Sequence, residues 1–146
     1  MKCFLIQIAN IVKLFKRRFR RRGVPQAQIM LDARIGAAVE SWVRDKGYYK
    51  NLPTLDEVAA DIGVPSDQLS AYIHVYERRH VLAWRKELRI RDAKQLMLSC
   101  PDLPISVVGE MVGIPDKSNF KRQFADLVGM SPREWRERHR QGAGPY

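Results

Sequence analysis

The sequence has few cysteines and histidines, and this scarcity excludes several classes of protein. Cys3 and Cys100 are the only cysteines among 146 residues, too few for a disulfide framework, and they indicate a reducing compartment. His74, His80 and His139 lie in different segments, with no cysteine or carboxylate at metal-ligand spacing. The sequence also lacks a phosphate-cradling glycine loop, a nucleophile elbow and a carboxylate pair outside the helical charge pattern. We therefore expect no metal, no cofactor and no enzymatic activity.

Long apolar runs are also missing. The most apolar stretch, residues 3–12, includes Gln7 and Asn10 and is far shorter than the ~20 residues of a membrane-spanning helix. It belongs to an amino-terminal arm, residues 1–23, which has eight Lys/Arg, no acid and apolar residues at helical spacing. Its basic residues follow the apolar ones, the reverse of a secretory signal. Three interpretations remain: a helix on an anionic membrane surface through residues 1–22, the end of a membrane helix that starts outside this chain, and a DNA-phosphate arm.

Basic residues are missing from the segment 51–77. The chain has a net charge of +10, but outside the arm 18 basic residues face 16 acidic ones. Residues 51–77 contain five acids and no Lys or Arg, whereas residues 104–140 contain seven Lys/Arg and five acids. Phosphate attraction is therefore expected from the second of these segments and from the arm.

The most informative feature that is present is a repeat. Residues 54–76 recur in apolar pattern at residues 104–127, and each copy predicts helix, glycine-opened turn, helix. The turns are Gly63-Val64-Pro65 and Gly113-Ile114-Pro115, the second one residue longer. The apolar stripes are Leu55, Val58, Ala59 and Ile62, then Leu69, Tyr72, Ile73 and Tyr76, repeated as Ile105, Val108, Gly109 and Val112, then Phe120, Gln123, Phe124 and Leu127. A plain α-hairpin array usually needs three or more copies, so two copies favour paired helix-turn-helix units.

The remaining periodic segments complete an all-α fold. A leading helix is predicted over residues 26–46, with Ile35, Val39, Trp42 and Val43 on one face. A long linker helix over residues 82–98 has two apolar groups, Trp84 and Leu88 against Ile90, Ala93 and Met97, as a strut between two lobes requires. Capping pairs Thr54/Glu57 and Ser131/Glu134 begin two further helices, Asp116 caps another, and Gly129 ends one. We expect an arm (1–23), a leading helix and connector (24–53) and a double helix-turn-helix domain (54–140).

These motifs together resemble the AraC/XylS family of bacterial transcription regulators. The resemblance covers about residues 54–138 and rests on three segments: residues 88–94 (LRIRDAK), similar to the family's linker, residues 118–124 (SNFKRQF), similar to its second recognition helix, and residues 129–136 (GMSPREWR). It implies an all-α domain whose two recognition helices enter successive major-groove segments of double-stranded DNA. It also implies an asymmetric or direct-repeat site. The family often adds a ligand-sensing domain, which residues 1–50 are too short to form.

Three positions depart from the family pattern. Arg78 stands where glycine is common, which predicts a different turn at the end of the first unit. Ala71 stands where the first recognition helix usually has arginine. Gly109 replaces a usual alanine, at an expected cost of up to ~1 kcal/mol in helix propensity. The first two departures weaken the first unit as a reader of DNA.

Candidate DNA contacts follow from the outward helix positions. On the second recognition helix they are Lys117, Ser118, Asn119, Lys121 and Arg122. Lys117 and Arg122 can donate to guanine, Asn119 can pair with adenine, and Lys121 suits a phosphate. Gln68, Ser70 and His74 are the candidates on the first, and Arg136 on the last helix completes the set. Trp42, Trp84 and Trp135 are expected in the core.

The hypothesis is a sequence-specific transcription regulator in the bacterial cytoplasm, with the second recognition helix dominant and RNA polymerase as a further partner. The alternative is a protein-interaction module on the same fold, associated with the inner face of the membrane, whose first lobe has lost base reading.

Overall fold

The computed structural model describes Gly23 and residues 25–141. The three interpretations of the arm concern residues 1–22, which lie outside the described part. The described chain is all-α, as predicted, and has no strand. Its elements are α1 (Gln26–Arg44), a 3-10 turn (Gly47–Tyr49), α2 (Leu55–Ile62), α3 (Ser66–Glu77), α4 (Val81–Ser99), α5 (Ile105–Met111), α6 (Lys117–Val128) and α7 (Pro132–Gln141). None of the described helices is both long and apolar enough to cross a membrane.

The helix starts follow local capping chemistry. The Thr54 hydroxyl accepts from the Glu57 amide at 3.3 Å, and the Glu57 carboxylate accepts from the Thr54 amide at 2.9 Å. Ser131 and Glu134 form the same reciprocal pair at 3.3 and 2.8 Å, so both predicted capping boxes are confirmed. Asp116, the predicted cap of α6, accepts from the Asn119 amide at 2.6 Å.

The helix ends correct one prediction. Gly63 and Gly129 adopt the left-handed conformation that ends α2 and α6, with φ of 83° and 81°. Arg78 ends α3 with φ 56° and ψ 34°, which is also left-handed. The expectation of a different turn was therefore wrong: the first unit keeps the turn and accepts a non-glycine residue in it. The steric cost for such a residue is roughly 1–2 kcal/mol.

Two apolar cores lie at opposite halves of α4. The first consists of residues from α1, the 3-10 turn, α2, α3 and the first half of α4, including Trp84 and Leu88. The second consists of residues from the second half of α4 with α5, α6 and α7, including Ile90, Ala93 and Met97. The predicted division of the strut between two lobes is confirmed, and Trp42, Trp84 and Trp135 are buried as expected.

Two apolar positions differ from the predicted pattern. Leu127 was expected in the buried stripe of α6 but is 41% exposed, and its neighbour Val128 packs against the second core instead. Gly109 was expected only to weaken α5. A Cβ at Gly109 would lie 2.8 Å from the Ile114 carbonyl oxygen and 3.0 Å from the Phe120 ring, so α5 and α6 approach closely because this residue is glycine.

The leading helix belongs to the first core. Ile35, Val39, Trp42 and Val43 are all buried there, as their spacing predicted. Gly47, just after α1, lies so close to Trp42 that a Cβ would sit 2.2 Å from the indole nitrogen. The domain boundaries remain predictions, and from this packing we propose that α1 forms one folded unit with the double helix-turn-helix.

Candidate nucleic-acid interface

The second recognition helix, α6, presents one apolar and one polar face. Phe120 and Phe124 are fully buried, and the Phe124 ring lies edge-on to Trp135 with centroids 6.1 Å apart. These contacts fix the rotation of α6 about its axis. Four of the five predicted contact residues on this helix are consequently exposed to solvent: Lys117, Ser118, Lys121 and Arg122.

Asn119 is half-buried and has local partners. Its amide oxygen accepts from the Arg122 guanidinium at 2.9 Å and from the Gln123 amide at 3.0 Å. An amide oxygen has two lone pairs, so bidentate pairing of Asn119 with adenine would require one of these bonds to break. The structure therefore places Asn119 where it orients Arg122, whose Nε and Nη1 are not used in that bond.

The first recognition helix, α3, differs in chemistry. Leu69 and Ile73 are buried, which leaves Ala71 and His74 exposed and Ser70 half-exposed. No Lys or Arg lies between Ser66 and Glu77. The Ser66 hydroxyl donates to the Asp56 carboxylate at 2.5 Å, a bond within the first unit. This face can offer hydrogen bonds but has no lysine or arginine for phosphate attraction.

A groove of about 380 Å³ lies between α1 and α3. It is lined by Gln28 and Asp32 of α1 and by Gln68 and Val75 of α3, among others. The Gln68 side-chain oxygen is buried and has no hydrogen-bond partner in the described structure. Gln68 therefore lines the groove beside α1, which does not favour the base contact predicted for it.

Arg136 also faces the protein. One of its nitrogens donates to the Pro101 carbonyl oxygen at 3.1 Å, and its other two guanidinium nitrogens are buried. Arg136 thus connects α7 to the loop between α4 and α5. Burial, together with the nearby Arg140, lowers the pKa of Arg136 below its usual value.

Sequence reasoning missed one group of polar residues altogether. Arg85, Arg89 and Asp92 of α4 bind residues 46–52 through hydrogen bonds that span 33 to 46 positions of sequence. No local periodicity or motif could indicate such pairs. The signal in the sequence was that a helix buried on two sides carries charged residues, since a charged residue near a buried face needs a partner.

Comparisons with known proteins agree with this architecture. Residues 58–138, more than half of the chain, match a family profile described as a helix-turn-helix domain. The arabinose operon regulatory protein of Salmonella typhimurium is 46% identical over 56 residues, which are 38% of this chain and 20% of that protein. The RCS-specific HTH-type transcriptional activator RclR of Escherichia coli is 30% identical over 113 residues, which are 77% of this chain and 38% of that protein. The chain thus spans well under half the length of these relatives.

Solved structures show the same fold. The C-terminal domain of AraT, a response regulator from Geobacillus stearothermophilus, superposes with a TM-score of 0.57 at 23% identity, over 79% of this chain and 87% of that one. An AraC-type transcriptional regulator from Chromobacterium violaceum gives 0.52 at 27% identity, over 64% and 80%. With the profile match and the paired helix-turn-helix lobes on one strut, the chain belongs to the AraC/XylS family of helix-turn-helix transcription regulators.

Proposed function

We propose that this chain binds double-stranded DNA sequence-specifically as part of a bacterial transcription regulator, and that α6 reads the bases while α3 adds weaker contacts. The observation that carries the proposal is the exposed row on α6. Lys117, Ser118, Lys121 and Arg122 are exposed, while Phe120 and Phe124 hold another face of α6 in the core. The second helix of a helix-turn-helix is the element that enters the major groove.

Each residue has a role that suits its chemistry. Arg122 and Lys117 donate to guanine O6 and N7, and Lys121 binds a phosphate. Asn119 holds Arg122 in position at 2.9 Å. Ser70 and His74 supply the hydrogen bonds of α3. Gln68 and Arg136 are outside the proposed contacts because the Gln68 side-chain oxygen and two Arg136 nitrogens are buried.

Two different recognition helices in one chain imply an asymmetric or direct-repeat site with its halves about 10 base pairs apart. A regulator bound there would act in the cytoplasm, on RNA polymerase at the same promoter. Nothing in the comparisons supports the alternative of a protein-interaction module.

The test combines site selection with substitution. Sites are selected from random duplexes with the full chain, and affinities are measured by gel-shift titration at fixed salt. We expect Arg122→Ala and Lys117→Ala each to weaken binding to the selected site by ~1–3 kcal/mol, since each removes a base contact. The denaturation midpoint should hardly change, because both side chains are exposed.

Arg133→Ala is the matched control. Arg133 is an exposed arginine on α7 that pairs with Glu137 at 3.2 Å, so its loss removes one charge outside the reading face. It should weaken binding to all duplexes slightly and to a similar extent. Unchanged affinity in both α6 variants would remove α6 from the reading role.

A further inference from the structure

The connector between α1 and α2 comprises residues 45–53. It turns sharply at Lys46, whose φ of 58° is left-handed, and it then lies along α4. Three side chains of α4 bind it: Arg85, Arg89 and Asp92. Their spacing of four and three residues puts them on one face of that helix.

The two arginines bind the connector's backbone. Arg85 is 7% exposed, and its Nε donates to the Tyr48 carbonyl oxygen at 3.2 Å while its other nitrogens donate to the carbonyls of Lys50 and Leu52. Arg89 donates to the carbonyls of Tyr48 and Lys50, the latter at 2.7 Å. Burial, with the neighbouring Arg85 charge, lowers the pKa of Arg89 to about 10, so it remains charged at neutral pH.

Asp92 binds the connector's side chains. Its Oδ2 accepts from Lys46 at 2.7 Å, from the Tyr48 hydroxyl at 2.5 Å and from the Tyr49 hydroxyl at 2.7 Å. Burial alone would raise the pKa of the Asp92 carboxyl, but these three hydrogen bonds outweigh it and the pKa lies below its usual value. One carboxylate thus binds three side chains of the connector to the second half of α4.

The connector also touches the second lobe. The Tyr49 side chain packs against both cores. Its carbonyl oxygen lies against Gly113, where a Cβ would be only 2.1 Å away. Gly113 belongs to the turn just before α6. A segment that belongs by sequence to the first lobe therefore contacts the turn that positions the second recognition helix.

We propose that the connector, held by Arg85, Arg89 and Asp92, sets the orientation of the second lobe relative to the first and thereby the spacing of DNA half-sites that the chain accepts. The inference rests on the proposed function, since it assigns a task to its two recognition helices. The lobes pack on opposite halves of α4, which fixes their separation. The connector limits rotation of one lobe against the other because Tyr49 packs against both cores and its carbonyl oxygen meets Gly113. Asp92 and Tyr49 are positioning residues and touch no DNA.

The first measurement needs no DNA. Spin labels are attached to the full chain at Ala60→Cys on α2 and Asp126→Cys on α6, both exposed positions, with Cys3 and Cys100 replaced by serine. We expect a narrow distance distribution for this protein and a broader one when Asp92→Ala or Tyr49→Phe is added. Thr54→Ala, which removes the α2 cap within one lobe, is the control and should leave the width unchanged.

The second measurement is affinity for the selected site and for versions with one or two base pairs inserted between its halves. The two recognition helices are linked in one chain, so each raises the affinity of the other only when both can reach their half-sites at once. The unsubstituted chain should therefore bind the altered sites about 100-fold more weakly than the selected site. In Asp92→Ala and Tyr49→Phe this spacing penalty, the ratio of the two affinities, should decrease from about 100-fold to about 10-fold. A purely structural role would weaken binding to every spacing equally and leave the penalty unchanged.

The outcomes separate the two proposals. Unchanged label distances and an unchanged spacing penalty in both variants would overturn the role of the connector. Selection that yields no preferred sequence would overturn the proposed function, while the label distances would still test the connector. If Asp92→Ala does not fold, Tyr49→Phe decides, because it keeps the ring that packs against both cores and loses only the 2.7 Å bond to Asp92.

Discussion

Several backbone positions in this chain restrict which residue can occupy them. Gly109 and Gly113 are required by close approaches to Phe120 and Tyr49, and Gly47 by its approach to Trp42. Arg78 occupies a left-handed position that glycine would fill without steric cost. The stability of the chain therefore depends on the residue type at a few backbone sites, either because space is short, as at Gly109, or because φ is positive, as at Arg78.

Replacing Arg78 by glycine should stabilise the chain. The left-handed conformation costs a non-glycine residue roughly 1–2 kcal/mol, and the greater flexibility of glycine in the unfolded chain offsets part of this. We expect Arg78→Gly to raise the free energy of unfolding by about 0.5–1 kcal/mol in urea denaturation. The reciprocal change, Gly129→Ala at φ 81°, should lower it by a similar amount. A lower urea midpoint for Arg78→Gly would mean that the Arg78 side chain stabilises the chain by more than the left-handed conformation costs.

The Asp92 carboxyl should make stability depend on acid pH. Because its folded-state pKa lies below the ordinary value, its contribution is complete above the unfolded pKa of about 3.9 and is lost as the pH falls through the folded pKa. We expect the urea midpoint to decrease as the pH is lowered below about 4. In Asp92→Asn the decrease of the midpoint with pH should be smaller. An equally steep fall in the Asn variant would assign the effect to other carboxyls, such as Asp61, whose pKa is also lowered, by Lys50 and Trp42.

At the scale of elements, the two helix-turn-helix units are alike in fold and different in surface. α3 and α6 each contain twelve residues, and each buries two large side chains four positions apart. α6 then presents lysines and an arginine, whereas α3 presents short polar residues beside the α1 groove. The repeat thus preserves the buried face, which the fold requires, and leaves the outer face to function.

The aligned core positions should respond alike to truncation. Phe124 and Ile73 are both 0% exposed, one in each lobe. We expect Phe124→Ala to cost ~3–5 kcal/mol and Ile73→Ala ~2–5 kcal/mol, because each leaves a cavity in a packed core. Urea denaturation followed by circular dichroism measures both values. Leu127→Ala on exposed α6 surface is the control and should change the midpoint little, since Leu127 is 41% exposed.

At the scale of the whole molecule, charge is distributed unevenly along the chain. Residues 51–77 have no Lys or Arg, residues 104–140 have seven, and residues 1–22 have eight with no acid. DNA attraction is therefore expected mainly at the second lobe and at the amino-terminal segment. The second lobe would then combine base reading with phosphate attraction, and the amino-terminal segment would add attraction alone.

Removing residues 1–22 should separate these contributions. Each Lys or Arg near an anionic surface contributes ~1 kcal/mol, so we expect the full chain to sediment with anionic liposomes and a chain beginning at Gly23 not to do so. The DNA sequence that selection prefers should be the same for both. If the full chain ignores anionic vesicles, and removal of the segment makes the salt dependence of DNA affinity less steep, the segment acts as a DNA-phosphate arm and not on a membrane.

The helices, the capping boxes and most residues of the two cores could be predicted from the sequence, with Leu127 as an exception. Apolar spacing placed Ile35, Val39, Phe120 and Phe124 inside, and capping pairs placed the starts of α2 and α7, because these signals act over a few residues of one chain segment. The two apolar groups of α4 even assigned each half of the strut to its lobe. The family could be identified for the same reason, since its motifs are local.

The directions of several polar side chains and the contacts that join the lobes could not be predicted from the sequence, because they arise from tertiary packing. Gln68 and Arg136 have outward positions on a helical wheel, yet the Gln68 side-chain oxygen is buried and Arg136 donates to the Pro101 carbonyl oxygen in the loop after α4. Asp92 meets Lys46 and Tyr49 across more than 40 residues, and Tyr49 meets Gly113 across the lobes. Such contacts depend on the packing of whole helices against each other, and no local pattern of residues encodes them.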